Sequence, residues 1–116
     1  GEEGFRKREA AAIDDLTRLD SVVLATGGGA VMSADTRSNL GGRGFVVYLY
    51  TTVDQQVVRT KKGRQRPLLE NGDPRGTLEE LLQKRDPLYR EIADLVVETD
   101  GRKVHSVASE IIEAIS

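Results

Sequence analysis

The stretch Val22-Val23-Leu24-Ala25-Thr26-Gly27-Gly28-Gly29-Ala30-Val31 constrains this chain more than any other part of it. A short unbroken run of β-leaning apolar residues reads as a strand buried on both faces, the pattern of parallel sheets. Three consecutive glycines follow directly. Without Cβ atoms, Gly27, Gly28 and Gly29 let the backbone turn at unusual φ/ψ and lie close against another group. One glycine suffices for a tight turn, so three ask for a further reason. In open α/β sheets ligands sit just beyond the carboxyl ends of strands, which is where these glycines fall.

Other function classes are limited by composition. At 116 residues the chain suits one small domain, and with 4% aromatic residues its core must be aliphatic. Seventeen basic against nineteen acidic residues leave a net charge of −2. That argues against a general nucleic-acid or anionic-membrane binder. No cysteine is present, and His105 is the only histidine. Disulfides, thiolate metal sites, His clusters and His-centred triads are therefore not expected. No apolar run approaches the length of a membrane span. Gly1 leads straight into Glu2, Glu3 and Phe5, and the chain is expected to be cut from something longer.

Phe5, Ala12, Ile13, Leu16 and Leu19 recur near the helical period and predict a helix from Glu2 to about Leu19. A first strand is expected at 21–26. Ser33 can N-cap a short helix to about Leu40, which Gly41-Gly42 would stop. A second strand is predicted over Phe45 to Tyr50. Thr52 with Gln55 forms a capping-box signature for a helix from Val53 to about Thr60. Lys61 to Gly76 is polar and basic and reads as a long loop. Thr77 with Glu80 opens another helix, ending near Lys84 or Arg85. Asp86-Pro87 is expected to reset the chain, with Pro87 starting a further short helix. A third strand over Leu95 to Glu98 and an amphipathic helix carrying Val104, Val107, Ala108, Ile111, Ile112 and Ile115 complete the chain. Strands alternating with helices imply βαβ units and a parallel sheet.

The chemistry is concentrated in arginines, whose planar forks of donors match carboxylate and phosphate oxygens and stay charged when desolvated. Three groups stand out: Arg6 beside Phe5, the run from Arg59 to Arg66, and Arg85 ahead of Asp86-Pro87-Leu88-Tyr89. Set against the triple glycine, they suit a small anionic substrate at one end and a polyphosphate at the other. Any one of them alone is more often a surface ion-pair partner. The run Arg59-Thr60-Lys61-Lys62-Gly63-Arg64-Gln65-Arg66 also resembles a nucleic-acid patch, but it lacks interleaved aromatics for base stacking.

In combination these residues resemble shikimate kinase, of the nucleoside-monophosphate-kinase-like, P-loop class. The resemblance is carried by Gly1-Glu2-Glu3-Gly4-Phe5-Arg6, Thr26-Gly27-Gly28-Gly29-Ala30-Val31, Val46-Val47-Tyr48-Leu49, Arg59-Thr60, Arg66-Pro67-Leu68-Leu69 and Arg85-Asp86-Pro87-Leu88-Tyr89, in the family's order and spacing. It implies a three-layer α/β fold with helices on both faces of a parallel sheet. The predicted strands would be the third, fourth and fifth of spatial order 2-3-1-4-5. It also implies transfer of the ATP γ-phosphoryl group to the 3-hydroxyl of shikimate with Mg²⁺, in chorismate and aromatic amino-acid biosynthesis. The setting would be cytoplasmic, with no nucleic-acid or membrane partner and a monomer at full length.

By the same resemblance Arg6 and Arg85 grip the shikimate carboxylate, the backbone of Gly27 to Gly29 lines the pocket, Phe5 walls the ring and Glu9 positions the carboxylate-binding arginine. Residues 61–76 would form a lid over ATP. Arg66 would be its catalytic, phosphate-binding arginine, Arg59 would cover the adenine, and Arg102 falls near another adenine-side position with a poor local match. By these expectations residues 1–32 hold the shikimate-binding part and 77–116 the carboxyl-terminal core.

The departure from the family is a missing Gly-x-x-x-x-Gly-Lys-Ser/Thr motif, which occurs nowhere in the 116 residues. This chain provides no metal ligand by that reading and looks like roughly the carboxyl-terminal two-thirds of the enzyme. A gluconate-type kinase is the enzymatic alternative, and a non-catalytic fragment needing a complementary amino-terminal piece is the other. The Walker backbone amides and lysine are the main contacts for nucleotide phosphates in this class. The 116-residue chain alone is accordingly expected not to phosphorylate shikimate at a useful rate. A coupled ADP-release assay checks this, and turnover like that of a full-length kinase would overturn it.

Overall fold

A computed structural model describes residues 1–62 and 74–116, with the side chains of residues 60–62 and 74 left out of the description. In order, its elements are α1 (Glu2–Leu16), a 3-10 helix (Gly28–Met32), α2 (Ala34–Arg43), β1 (Val47–Tyr50), α3 (Val53–Lys62), α4 (Pro74–Ile92), β2 (Leu95–Glu98) and α5 (Val104–Ile115). The segment 61–76 expected as a loop is thus helical at both ends, and residues 63–73 lie outside the described part.

Two strands form the sheet, β1 and β2, paired in parallel with Val47 opposite Leu95 and Tyr50 opposite Glu98. Parallel pairing demands a crossover, and the chain between the strands supplies it through α3 and α4, which pack together. Both ends of the ladder are finished by polar groups. The Asp94 carboxylate accepts from the Val46 N–H at 2.7 Å, where the chain enters the sheet. At the other end the Thr99 N–H and hydroxyl both donate to the Tyr50 carbonyl, at 2.9 and 3.0 Å. Val97 is fully buried, and Tyr48, at 9% exposure, is the large side chain closing the α4 side of the strand pair.

The strand expected at Val22 to Ala25 does not form. Those residues are extended but belong to no element, and no backbone hydrogen bond among the described residues joins them to 45–50. The reason is spatial: a strand exists only where N–H and C=O groups meet a neighbour about 4.8 Å away. Here a cleft of about 1420 Å³ separates the run from the free edge of β1. Val22, Val23, Leu24, Val46, Val47 and Leu49 are among the residues that line it. Val23 is fully exposed and Val22 half exposed, Leu24 is only partly covered, and Leu49 across the cleft is half exposed, so an apolar run suited to burial on both faces is left largely uncovered. The accessible surface of 8285 Å² exceeds the roughly 6,200 Å² usual for a folded monomer of 12.7 kDa.

Other departures have local causes. α1 stops at Leu16 rather than Leu19, where the backbone tightens: the Arg18 and Leu19 N–H groups donate three residues back, to the Asp15 and Leu16 carbonyls at 3.2 Å each. Gly41-Gly42 does not stop α2, which runs on to Arg43. Gly41 instead lets that helix close on α4: a Cβ there would stand 3.4 Å from Ile92. Ser33 is the N-cap as expected, accepting from the Thr36 N–H at 3.3 Å. β1 starts at Val47 rather than Phe45. The largest correction concerns Pro87, which does not reset the chain but sits inside the continuous helix α4. Its ring removes one helical hydrogen bond, a cost of about 3 kcal/mol. Contacts made by residues on both sides of it, described below, hold the helix in one piece.

The carboxyl end of α1 is tied to that of α2 through Asp14. Its carboxylate accepts from Arg43 at 2.7 Å and from Arg18 at 3.2 Å, and Arg43 also reaches the Asp14 carbonyl at 3.0 Å. The hydrogen bond from Arg43 is the main cause holding the Asp14 carboxyl below its ordinary 3.8. A carboxyl lowered in the folded state contributes stability that is present above its ordinary value and lost as pH falls through the lower, native one. In the full-length protein Asp14→Asn should therefore lower the thermal midpoint at pH 7, and the difference from wild type should shrink as pH falls below the ordinary carboxyl value of 3.8. Calorimetry across that range checks it, and a difference independent of pH would refute the ion-pair account.

Candidate functional site

The triple glycine sits where α1, α2 and α4 converge on the 3-10 helix. None of its residues has a positive φ, and Gly27, with φ −71° and ψ 158°, is ordinary extended backbone. The expectation of unusual backbone angles is therefore replaced by the second property of glycine, close approach.

Each of the three glycines faces a different charged side chain. A Cβ on Gly27 would come within 3.7 Å of the Glu9 carboxylate. On Gly28 it would stand 2.8 Å from Nη1 of Arg85 and 3.1 Å from the Tyr89 hydroxyl. On Gly29 it would run into the Arg6 guanidinium, 2.5 Å from Cζ and 2.7 Å from Nη1. Real side chains do not tolerate such distances, so the absence of Cβ admits both guanidiniums. Gly29 is itself buried, as are Ala30 and Val31, which anchor the turn in the apolar interior.

Arg6 is oriented from its own helix. Its Nη1 donates to Glu9 at 2.6 Å, one turn along α1, and the Glu9 side chain is only 16% exposed. The Phe5 ring lies 5.2 Å from the Arg6 guanidinium carbon and is half exposed beside it. Arg6 and Arg85 stand here against Glu9 and, 4.0 Å from Arg6 Nε, the exposed Glu2, and their forked donors suit an acidic small molecule.

Side chains from α4 and α2 hold the turn in place. Tyr89 donates to the Gly28 carbonyl at 2.8 Å, and Arg37 donates to the Val31 carbonyl at 2.6 Å while pairing with Glu91 at 3.2 Å. The Tyr89 ring rests on Tyr48 of β1, with centroids 4.6 Å apart. Tyr48 in turn donates to Asp86 at 2.7 Å, and Asp86 accepts from Arg90 through both oxygens at 3.0–3.1 Å. Arg90 also lies over the Tyr48 and Tyr50 rings. Desolvation is the main reason that both tyrosine hydroxyls are held above their ordinary value of 10.0. Each therefore stays a protonated donor at neutral pH.

No site role is assigned from sequence to Tyr89, Arg37, Tyr48 or Asp86, although Tyr48, Asp86 and Tyr89 lie in the blocks that carry the family resemblance. The available signal was the i, i+4 spacing of Arg85 and Tyr89, which puts both on one helix face. Breaking the helix at Pro87 hides it.

The remaining sequence-derived residues lie away from this corner or outside the described part. Arg66 falls among residues 63–73. Arg59 leans on Thr51, with Nη1 3.4 Å from its hydroxyl. Arg102 is committed to α5: it donates to Glu110 at 2.6 Å, to the Ser106 hydroxyl at 2.8 Å and to the Glu98 carbonyl at 3.3 Å. Among the described residues no group of three or more acidic, His or Cys side chains is placed to hold a metal ion.

The sequence matches the family described as shikimate kinase over residues 1–116. A shikimate kinase of Shewanella amazonensis is 56% identical over 115 residues, covering 99% of this chain and 67% of that protein. One from Halorhodospira halophila is 58% identical, covering 99% and 65%. The structure superposes on Acinetobacter baumannii shikimate kinase in complex with shikimate with a TM-score of 0.89 at 46% identity, covering 99% of this chain and 64% of that one. For Bacteroides thetaiotaomicron shikimate kinase the TM-score is 0.82 at 26% identity, with 98% and 67% covered. The chain thus spans about two thirds of the length of these relatives, and the two-stranded sheet is part of the α/β kinase fold that the solved structures share. On sequence and fold alike, this chain belongs to the shikimate kinase family.

Proposed function

We propose that this chain provides the acceptor-binding part of an ATP-dependent shikimate kinase, with Arg6 and Arg85 as the clamp for the shikimate carboxylate. The observation that carries the reading is the opposition of Glu9, Arg85 and Arg6 to Gly27, Gly28 and Gly29. Two guanidinium forks beside a turn stripped of Cβ atoms suit a small acid lying against bare backbone. The A. baumannii kinase of the same fold binds shikimate, which supports this choice of acid.

In this reading Glu9 keeps the Arg6 fork turned toward the turn, the glycine backbone lines the pocket floor, and Phe5 covers the ring of the substrate. Phosphoryl transfer depends on holding acceptor and donor in line and on neutralising charge, with little covalent help from the protein. The clamp does the first part of that work. By fixing the carboxylate on C1 it also fixes the 3-hydroxyl, two ring carbons away. ATP supplies the phosphoryl group. On the nucleotide side we assign Arg59 to the adenine and Arg66 to the phosphates, with residues 61–76 as the closing lid. Arg102, whose donors are engaged by Glu98, Ser106 and Glu110, must release them before it can touch the base.

Mg²⁺ is the metal expected for this chemistry; it binds largely through substrate phosphates and water, and no step here is routed through it. No helix among the described residues is long and apolar enough to cross a membrane. The reading carries with it a cytoplasmic setting and a monomer for the full-length protein.

In the full-length protein Arg85→Ala should weaken shikimate binding by about 2–4 kcal/mol, the loss of one arm of a charge-assisted clamp, with ATP binding little changed. Arg66→Ala should do the reverse, depressing turnover while shikimate affinity stays nearly intact. Calorimetric titration of each ligand separates the two, and normal shikimate binding by Arg85→Ala would overturn the clamp. Gly29→Ala is expected to raise KM for shikimate at least about tenfold by displacing Arg6, since the added Cβ would sit where the guanidinium lies. Steady-state kinetics at saturating ATP check it.

A further inference from the structure

Gly28 is met by two residues four apart on one face of α4. The Arg85 guanidinium and the Tyr89 hydroxyl both stand against the place a Cβ would take, at 2.8 and 3.1 Å, and bond each other, while the hydroxyl donates to the Gly28 carbonyl at 2.8 Å. Arg85 belongs to the clamp, but Tyr89 has no part in it so far. Its ring is not free to wander. Stacking on Tyr48 fixes one face of it, and Tyr48 is anchored by β1 and by its hydrogen bond to Asp86, in the same turn of α4. A rigid path thus runs from the sheet through two aromatic rings to one carbonyl of the glycine turn. A turn without side chains has nothing of its own to hold it at a set depth, so an external bond must do so.

We infer that Tyr89 is a positioning residue for the acceptor substrate: by holding the Gly28 carbonyl it sets the depth of the glycine turn beneath Arg85, and with it the affinity for an anionic acceptor. The inference rests on the reading of Arg6 and Arg85 as the carboxylate clamp. Tyr89 touches no reacting atom in this account. Its hydroxyl acts through the backbone of Gly28, while its ring serves packing. The two contributions are separable, because phenylalanine keeps the ring on Tyr48 and deletes only the hydroxyl, with its bond to the Gly28 carbonyl and its contact with Arg85.

Tyr89→Phe in the full-length protein should keep the thermal midpoint close to that of wild type and raise KM for shikimate about fivefold, the size of one neutral hydrogen bond. KM for ATP should stay within about twofold, because the glycine turn lies on the acceptor side only. Unchanged KM for shikimate would overturn the inference. A parallel rise in both KM values with a lowered midpoint would also overturn it, since that is the signature of a residue serving stability alone. Arg85→Ala, measured alongside, separates the two layers of the argument. If Arg85→Ala weakens shikimate and Tyr89→Phe does not, only the role of Tyr89 falls. If Arg85→Ala binds shikimate normally, the clamp itself is wrong and the inference falls with it.

Discussion

Close approach of charged side chains to a backbone without Cβ atoms is the contact on which the functional corner depends. Glu9, Arg85 and Arg6 come from two helices far apart in sequence and meet Gly27, Gly28 and Gly29 one for one. Guanidiniums brought this near an ordinary backbone would collide with side chains at Gly28 and Gly29. With glycine there, both cations reach the same short turn, and the turn can lie against a ligand as well. The positive charge this concentrates is tempered by Glu9, which accepts from Arg6 at 2.6 Å and fixes its direction.

A site of this kind needs rigid supports, because glycine gives conformational freedom along with space. The supports are polar and come from outside the turn. Tyr89 holds the carbonyl at its start, Arg37 the carbonyl at its end, and Ala30 and Val31 are buried between. The same supports explain how α4 continues through Pro87. Arg85 and Asp86 precede the proline and Tyr89 and Arg90 follow it, all on one continuous helix. Asp86 and Arg90 bond each other across the proline, and Tyr48 ties Asp86 to the sheet. Tertiary contacts outweigh the single lost helical hydrogen bond.

The other half of the chain is organised around an edge. β1 is laddered to β2 on one side and opens on the other into an apolar cleft, across which the extended run Val22 to Ala25 lies unpaired. The exposed Val23, Leu49 and Phe45 mark it as a place where apolar surface is left uncovered. This edge and the glycine corner meet at residues 26–27, so the apolar run and the binding turn share one strand-like approach. The geometry of the turn is maintained from α4 and α2, away from the cleft.

Much of this was legible in the residues alone. That β1 neighbours β2, and that Arg6, Arg85 and the triple glycine share one site, comes from the family resemblance, whereas the order of helices and strands and the Ser33 cap follow from local patterns: apolar periodicity and cap chemistry. Those patterns work because they express short-range physics, sterics and one-turn neighbours. Only the tertiary structure decided that Gly27 to Gly29 serve approach rather than unusual backbone angles, since the colliding groups lie in distant helices. It likewise decided that Pro87 sits within a helix, because contacts from the sheet and the turn outweigh the local penalty. The family's strand order already keeps Val22 to Ala25 from pairing with β1, but only the structure showed that the run forms no strand at all, for a strand is defined by a partner and no property of its own residues can supply one.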